Sequence, residues 1–327
     1  MKSLLIAAGC AFILCFLGMR LLIPALRALK AGQSIREIGP NWHKEKEGTP
    51  TMGGLGFIAA AVVASLLAGI PQMMQGNFDH LYILAFALVF GAIGFADDFV
   101  KVKLKRNLGL TAWQKLLLQL AAAGAYLALL RWNGNLQSAL YIPFWNVTVE
   151  LNWIVYLVFA MFVIVGCTNA VNLTDGIDGL ASGVTVPVMV FFALSAYLWK
   201  QESVALVPAA MVGGLAGFLC YNFHPAKVFM GDTGSLFLGG LVCGLAFALD
   251  MPLVLLLVGL VYIAETLSVI LQVGYFKLTH GKRIFKMTPI HHHFEMSGWS
   301  EVKIFTVFTL VTVVMCLIAW LGISGRA

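Results

Sequence analysis

Ten long apolar stretches follow one another along the chain, and short polar segments separate them. A helix needs about 20 apolar residues to cross a bilayer core, within a range of about 17–25. Each stretch therefore predicts one transmembrane helix. The approximate limits of the stretches are 3–23, 51–70, 80–96, 112–130, 152–171, 182–199, 203–222, 234–249, 252–276 and 303–324. The first stretch starts like a signal peptide but lacks a small-residue cleavage site, so we expect it to remain as a helix.

One segment between the stretches has a different pattern. Residues 139–151 alternate, with Tyr141, Pro143 and Trp145 at every second position, which is the period of a β-strand and predicts a short hairpin. The sequence has no internal repeat and no low-complexity linker, so residues 1–327 are predicted to form a single integral membrane domain. The predicted fold is an all-α polytopic membrane protein with ten transmembrane helices and one short outer β-hairpin near 139–151.

The composition supports a membrane protein and excludes several other classes. Of the 327 residues, 60% are hydrophobic and 11% are charged, whereas soluble domains have about 45–50% and about 25%. This excludes a disordered chain, an ordinary soluble enzyme and a nucleic-acid-binding module. Fourteen of the 21 lysine and arginine residues lie in the loops after the first, third, fifth, seventh and ninth predicted helices. These loops are therefore predicted to be cytoplasmic, with both termini outside.

The acidic residues and the histidines concentrate on that same predicted cytoplasmic side. Five of the seven aspartates and six of the seven histidines lie there, and Glu265 is the main acid within a membrane stretch. A transporter would place its polar groups near the membrane midplane. The distribution instead predicts an enzyme that joins a water-soluble cytoplasmic substrate to a membrane lipid. The five aspartates are Asp97, Asp98, Asp175, Asp178 and Asp232.

The adjacent pair Asp97 and Asp98 closes the third predicted helix. Two neighbouring carboxylates repel each other unless a cation or a proton intervenes, and Mg²⁺ prefers hard oxygen ligands together with substrate phosphates. Lys101 and Lys105 follow Asp97 at intervals of four residues, which would place them on one helix face. The pattern predicts a magnesium and diphosphate site. The alternative is a solvated helix end with salt bridges.

Three further segments carry polar side chains suited to binding a substrate. The segment 169–180 contains Asp175 and Asp178 among glycines and asparagines, which suit a base or a ribose but also an ordinary helix cap and turn. Asp232, in the segment 221–235, is either a third acid of the same site or a helix N-cap. The run His291–His293 is suited to hydrogen bonding with an anionic substrate or its sugar, and the alternative is a plain surface loop.

These motifs together resemble one family. Its members are the phospho-N-acetylmuramoyl-pentapeptide transferases (MraY), within the polyprenyl-phosphate N-acetylhexosamine-1-phosphate transferase superfamily. The resemblance runs in order along nearly the whole chain. The strings that carry it are Gly-Thr-Pro-Thr-Met-Gly-Gly at 48–54, Phe-Ala-Asp-Asp-Phe at 95–99, Asn-Leu-Thr-Asp-Gly-Ile-Asp-Gly-Leu-Ala at 172–181, Phe-Met-Gly-Asp-Thr-Gly-Ser at 229–235 and Pro-Ile-His-His-His-Phe-Glu at 289–295.

The resemblance implies a reaction, its partners and a set of site residues. UDP-N-acetylmuramoyl-pentapeptide would donate its phospho-sugar to undecaprenyl phosphate with Mg²⁺, giving lipid I and UMP at the cytoplasmic face of the bacterial inner membrane. Nucleoside inhibitors and a homodimer are further implied partners, and nucleic acid is not. The implied catalytic residues are Asp97, Asp98 and Asp232, with Asp232 as the metal ligand. The implied substrate-binding residues are Lys46, Thr51, Lys115, Asn172, Asp175, Gly176, Ile177, Asp178, Asn222, Phe229, Gln272, His291, His292 and His293.

The resemblance also divides these residues into roles. Phe229 would stack on the uracil base, Asp97 would be a base for the lipid phosphate, and Asp98 a second metal ligand or a phosphate-positioning acid. The ninth helix, with Glu265, would bend to shape a groove for the lipid tail. Three alternatives remain from the sequence: a sibling transferase that uses UDP-N-acetylglucosamine, an intramembrane prenyltransferase and a transporter.

Overall fold

The computed structural model describes residues 1–29, 46, 48–104 and 108–326. Within these residues, 76% are helical and one small two-stranded sheet is present. The elements are α1 (Lys2–Ala28), α2 (Gly54–Ala68), α3 (Ile70–Met74), α4 (Asp79–Leu104), α5 (Ala112–Trp132), β1 (Ala139–Ile142), β2 (Val147–Glu150), α6 (Trp153–Thr174), α7 (Leu180–Leu198), α8 (Glu202–Asn222), α9 (Gly231–Ala248), α10 (Leu255–Val258), α11 (Leu260–Leu278), α12 (Ile290–Glu295) and α13 (Glu301–Ile323). A 3₁₀ turn at Pro252–Val254 precedes α10, and a second at Ser324–Arg326 follows α13.

Nine helices in the described part of the chain are long and apolar enough to cross a membrane. They are α1, α4, α5, α6, α7, α8, α9, α11 and α13. The predicted stretch 51–70 contains α2, which has only 15 residues and ends at Gly69 before the short α3. The multi-pass membrane architecture is confirmed, and the tenth span and the outside position of the termini stay predictions.

Local sequence signals explain where several of these helices begin. Thr111 caps α5: its side chain accepts from the backbone N–H of Gln114, whose own side chain accepts from the backbone N–H of Thr111. Asn152 and Ser300 cap α6 and α13 in the same general way. Such caps satisfy backbone donors that the first turn of a helix leaves unpaired. They place Lys115 and Glu301 in the first turns of their helices.

The prediction of one continuous helix over residues 252–276 is wrong. This stretch is divided into a 3₁₀ turn, the short α10 and the longer α11, with Gly259 between α10 and α11. Glycine weakens a helix interior by about 1 kcal/mol relative to alanine, which makes this position a favourable one for an interruption. The groove for a lipid tail stays a prediction.

The helix α9 lies at the centre of the bundle. It packs along α4 and α6, while α1 packs along α8, and nearly every side chain of α9 is buried. The outer faces of α1, α6 and α13 instead expose large apolar side chains such as Leu21, Phe162 and Leu321. An exposed apolar surface of this extent is expected where helices contact lipid.

The predicted hairpin is present as an antiparallel pair. Ala139 lies opposite Glu150 and Ile142 opposite Val147. The backbone N–H of Phe144, in the connecting turn, donates to the carbonyl of Gly322 at 2.8 Å and ties the hairpin to the end of α13. The side of the membrane on which it lies stays a prediction.

Candidate active site

Three aspartates from two helices come together at one end of the bundle. Asp97 and Asp98 lie near the end of α4 and are buried, and Asp232 lies in the first turn of α9. One oxygen from each carboxylate lies within 4.8 Å of the others. Gly94 permits this approach, because a Cβ there would collide with the backbone carbonyl of Asp232.

Asp98 binds the beginning of α9. Its carboxylate accepts from the Thr233 backbone N–H at 2.9 Å, from the Thr233 hydroxyl at 2.7 Å and from the Asp232 backbone N–H at 3.2 Å. Negative charge is favourable at a helix N-terminus, where backbone N–H groups are unpaired. Asp98 therefore fixes α9 relative to α4 and with it the position of the Asp232 side chain.

Two lysines lie between the other carboxylates. The Nζ atom of Lys101 is 2.6 Å from Oδ2 of Asp97 and 3.0 Å from Oδ2 of Asp232. The Nζ atom of Lys115 is 2.8 Å from Oδ2 of Asp232 and 3.7 Å from Oδ1 of Asp97. Lys105, the third residue of the predicted helix face, lies outside the described residues. The site thus combines three carboxylates, which could hold a metal ion, with two ammonium groups suited to phosphate.

Asn172 joins α6 to the same site. Its amide nitrogen donates to Oδ1 of Asp232 at 2.9 Å and to the hydroxyl of Ser235 at 2.8 Å. Asp232 is therefore held by Asn172 on one oxygen and by Lys101 and Lys115 on the other. We call Asp97, Asp98 and Asp232 with Lys101 and Lys115 the triple-aspartate cluster.

A second group of charged side chains surrounds Lys46. Its Nζ atom is 2.7 Å from Oδ1 of Asp178 and 2.7 Å from the carboxylate of Glu301. Oδ2 of Asp178 also lies 2.9 Å from Nδ1 of His224 and accepts from the Ala226 backbone N–H at 3.0 Å. Asp178 in turn donates its backbone N–H to Glu301. We call Lys46, Asp178, His224 and Glu301 the Lys46 cluster.

The sequence predicted Lys46 and Asp178 as neighbours through the resemblance, but it did not predict His224 or Glu301. Glu301 lies in the first turn of α13, where an acidic residue is common for helix stability alone. His224 lies two residues after Asn222, inside a segment that had been singled out for Asp232. No pattern in either neighbourhood distinguishes these residues from ordinary helix-end residues.

Asp175 and Gly176 directly follow α6, between Asn172, which contacts Asp232, and Asp178 of the Lys46 cluster. Burial, together with the negative charges of Asp232, Asp98 and Asp178, raises the pKa of Asp175 to about 8. The pKa of Lys46 is also raised, because Glu301 and Asp178 favour its charged form more strongly than burial disfavours it. Gly176 is exposed, and Ile177 is buried.

Backbone hydrogen bonds join the segment that contains the predicted residue Thr51 to the predicted residue Phe229. The Phe229 N–H donates to the carbonyl of Pro50 at 2.9 Å, and the Gly53 N–H donates to the carbonyl of Phe229 at 2.8 Å. Asn222 is buried and donates to the carbonyl of Val228 at 2.9 Å. The segments 48–54 and 228–231 therefore form one connected surface beside Asp232.

The three histidines have three different partners. His291 is fully buried against Glu265, His292 pairs with Glu295, and His293 accepts from the Lys286 backbone N–H at 3.2 Å. The amide oxygen of Gln272 accepts from the backbone N–H groups of residues 284 and 285. Gln272 and His293 thus form hydrogen bonds with the segment 279–300 between α11 and α13, which we call the last loop. In these hydrogen bonds neither residue contacts the carboxylates of the two clusters.

Comparisons with known proteins agree with this architecture. A family model described as glycosyl transferase family 4 matches residues 80–250, which contain Asp97, Asp98 and Asp232. The phospho-N-acetylmuramoyl-pentapeptide-transferase of Clostridium acetobutylicum is 48% identical over 96% of each chain. The protein of the same name from Listeria monocytogenes is 48% identical over 91% of each chain, and that from Caldanaerobacter subterraneus is 46% identical over 99%.

The fold and the site therefore define a membrane-embedded member of glycosyl transferase family 4. Within it, the chain belongs to the phospho-N-acetylmuramoyl-pentapeptide transferase family. The resemblance drawn from the five sequence strings is confirmed.

Proposed function

We propose that this protein transfers phospho-N-acetylmuramoyl-pentapeptide from its UDP carrier to undecaprenyl phosphate, giving lipid I and UMP for peptidoglycan synthesis. The observation that carries the proposal is the triple-aspartate cluster, in which acids and lysines meet at one end of membrane-crossing helices. A reaction between two phosphate groups, one on a soluble nucleotide and one on a lipid, needs such a charged site at the membrane boundary. Family membership supports the same reaction.

The charges of the triple-aspartate cluster suit a magnesium ion. Three carboxylates and two ammonium groups sum to a charge of −1, and one Mg²⁺ ion would change this to +1, which attracts phosphates. Carboxylate oxygens are hard ligands of the kind that Mg²⁺ binds, and Asp232 would hold it. Bound Mg²⁺ would neutralise the charge that develops on the diphosphate.

The side chains around that ion have separate roles. Lys101 and Lys115 bind phosphate oxygens after leaving their carboxylate partners, because ammonium groups on flexible stems can follow the substrate. Asp97 accepts the proton of the lipid phosphate at a carboxylate oxygen. Asp98 keeps Asp232 in position through its three hydrogen bonds to the beginning of α9.

The Lys46 cluster and the segment beside it suit the uridine part of the donor. Lys46 and Asp178 present a charged donor and acceptor, Gly176 permits close approach, and Phe229 provides an aromatic face for the base. Thr51 and Asn172 would contact the diphosphate that connects the uridine to the triple-aspartate cluster, since Asn172 is hydrogen-bonded to Asp232. Uridine-containing nucleoside inhibitors would compete at the same place.

The last loop would receive the sugar and peptide part of the donor through His292 and His293. The charge asymmetry of the loops supports a cytoplasmic position for the whole site in the bacterial inner membrane. A homodimer also remains part of the proposal.

The direct test is UMP release by the purified protein in detergent. The assay contains UDP-N-acetylmuramoyl-pentapeptide, undecaprenyl phosphate and Mg²⁺, with a sample without lipid as control. We expect UMP release that depends on both the lipid and the metal. Release with UDP-N-acetylglucosamine instead would reassign the donor to the sibling enzymes, and no release with either donor would contradict the proposal.

A further inference from the structure

Glu265 is a carboxylate inside the membrane-crossing helix α11, and the structure gives it a partner. One oxygen, Oε2, lies 3.0 Å from Nδ1 of His291 and 3.4 Å from the His291 backbone nitrogen. Both side chains are fully buried. A buried carboxylate is costly unless it is paired and hydrogen-bonded. The contact with His291 satisfies Oε2, while Oε1 is buried and has no hydrogen-bond partner among the described residues.

The same face of α11 holds the last loop at a second point. Gln272 lies seven residues after Glu265, about two helical turns. Its amide oxygen accepts from the backbone N–H groups of Ile284 and Phe285 at 3.1 and 2.9 Å. Glu265 and Gln272 together fix the backbone of the loop on both sides of residues 285–290.

The other ring nitrogen of His291 faces Gly176, in the turn that follows α6. Nε2 is buried and has no hydrogen-bond partner among the described residues. It lies against Gly176, where an added Cβ would collide with Nε2 and would be 2.5 Å from Cε1 of the ring. Gly176 is exposed and His291 is buried, so the His291 ring packs against the inner side of this turn and supports it.

The partners determine which nitrogen of His291 carries the proton. A carboxylate only accepts hydrogen bonds, so Nδ1 of the neutral ring carries the proton and Nε2 has the free lone pair. A hydrogen-bonded carboxylate fixes the tautomer and the orientation of a histidine ring in this way. Without Glu265, the ring could rotate or change tautomer, and the support beneath Gly176 would be lost.

We infer that Glu265 is a positioning residue that acts through His291 on the turn Asp175–Asp178 and so determines the affinity for the nucleotide of the donor. The inference rests on the proposed function, in which this turn binds uridine. Glu265 and His291 do not touch the substrate in this account. Substitution of either residue should therefore weaken binding of the nucleotide and leave binding of the lipid acceptor unchanged.

The test compares two substitutions of Glu265 in the full-length protein. In Glu265→Leu, the acceptor is lost, and we expect KM for the UDP-linked donor to rise about 10-fold or more, by analogy with the loss of a partner that orients a metal-binding histidine. KM for undecaprenyl phosphate should stay within about 2-fold of the wild type, because the lipid does not contact this turn. Glu265→Gln keeps an oxygen acceptor and should restore KM for the donor to within about 3-fold.

Gly176 gives an independent arm that remains informative if Glu265→Leu fails to fold. Gly176→Ala should raise KM for the donor by pushing the His291 ring away. In the double variant Gly176→Ala with His291→Ala, the obstructing ring is absent, so the effects should be less than additive. Gly274→Ala is the matched control, because a Cβ there meets open space on the same helix as Glu265.

UMP binding by calorimetry separates the possible outcomes. A wild-type protein that neither binds UMP nor releases it would overturn the proposed function itself. A wild-type protein that is active, with a Glu265→Leu variant of unchanged donor KM, would overturn the positioning role alone. Equal increases in KM for donor and lipid, or strict additivity in the double variant, would also contradict it.

Discussion

The two charged clusters of this site have the same net charge, but Asp232 in one and Asp178 in the other differ in what holds the carboxylate. The triple-aspartate cluster has three carboxylates and two lysines, and the Lys46 cluster has two carboxylates and one lysine, so each sums to −1 with neutral His224. Asp232 is 18% exposed, and its partners are the side chains of Asn172, Lys101 and Lys115. Asp178 is 2% exposed.

The difference lies in how easily the partners can be exchanged. Asp178 and Glu301 are joined by a backbone N–H, and Asp178 also accepts from the Ala226 backbone N–H. Backbone donors cannot leave without moving the chain, whereas the lysines beside Asp232 can turn toward a substrate. The comparison teaches that Asp232, which is partly exposed, suits changing ligands such as a metal and phosphates, whereas the buried Asp178 suits fixed recognition.

The largest effect is expected from Asp232→Asn. The substitution removes one negative charge from the triple-aspartate cluster, and kcat should fall by at least about 10³-fold, the scale of losing stabilisation of transition-state charge. The rate of UMP release measures it. Asp79→Asn, at the opposite end of α4, is the matched control and should retain activity. Substantial activity in Asp232→Asn would remove the basis for treating this cluster as the reacting one.

A smaller loss is expected from Lys115→Met. The substitution removes one of the two ammonium groups near Asp232 while keeping a long side chain, and kcat should fall about 100-fold with a donor KM changed less. Steady-state kinetics with both substrates measures this. Lys200→Met, at the end of α7, is the control. An increase in donor KM with an unchanged kcat would show that Lys115 contributes to donor binding and not to the reaction of the phosphates.

Glu301→Gln should have a different signature. It removes the charge that holds Lys46 beside Asp178, so donor KM should rise about 10-fold with kcat nearly unchanged, as when binding is lost uniformly. Glu202→Gln, an exposed acid in the first turn of α8, is the control. If kcat fell and KM did not, the two clusters would not have the separate roles described above.

The last prediction concerns the pH dependence of stability rather than activity, and it rests on Asp175. Burial and the neighbouring carboxylates raise the pKa of Asp175 to about 8 in the folded protein, whereas an unfolded aspartate titrates near 3.9. The unfolded state therefore loses its proton first, and Asp175 destabilises the fold increasingly as the pH rises from about 4 to about 8. Asp175→Asn should thus gain thermal stability relative to the wild type over this range and show a constant difference above it.

Thermal unfolding in detergent at pH 5, 6, 7, 8 and 9 measures the difference. A difference between the two proteins that does not change with pH would contradict the raised pKa. The comparison is made without Mg²⁺, because a cation at Asp232 would reduce the negative potential at Asp175.

The sequence predicts much of the fold because apolar length is a strong signal. Most predicted stretches match helices, and the alternating segment 139–151 matches the hairpin. The short α2 and the division at Gly259 were not predicted, because an apolar run does not reveal where a helix ends inside it. Those boundaries depend on packing against neighbouring helices.

The candidate site is predictable only in part for a similar reason. The common location of Asp97, Asp98 and Asp232 followed from the arrangement of the loops, but their contacts with Asn172 and Lys115 depend on how α4, α5, α6 and α9 pack. Glu301 and His224 carry no distinguishing pattern. The partner of Glu265 lies 26 residues further along the chain, at a separation for which no helical period gives a signal.

The central claim, that the metal belongs to the triple-aspartate cluster and not to the Lys46 cluster, is tested by Mn²⁺ binding. Mn²⁺ accepts the same oxygen ligands as Mg²⁺, and its paramagnetic resonance signal reports binding without turnover. The account predicts that Asp232→Asn abolishes tight Mn²⁺ binding and that Glu301→Gln leaves it within about 3-fold of the wild type. Loss of binding in Glu301→Gln with retention in Asp232→Asn would contradict it.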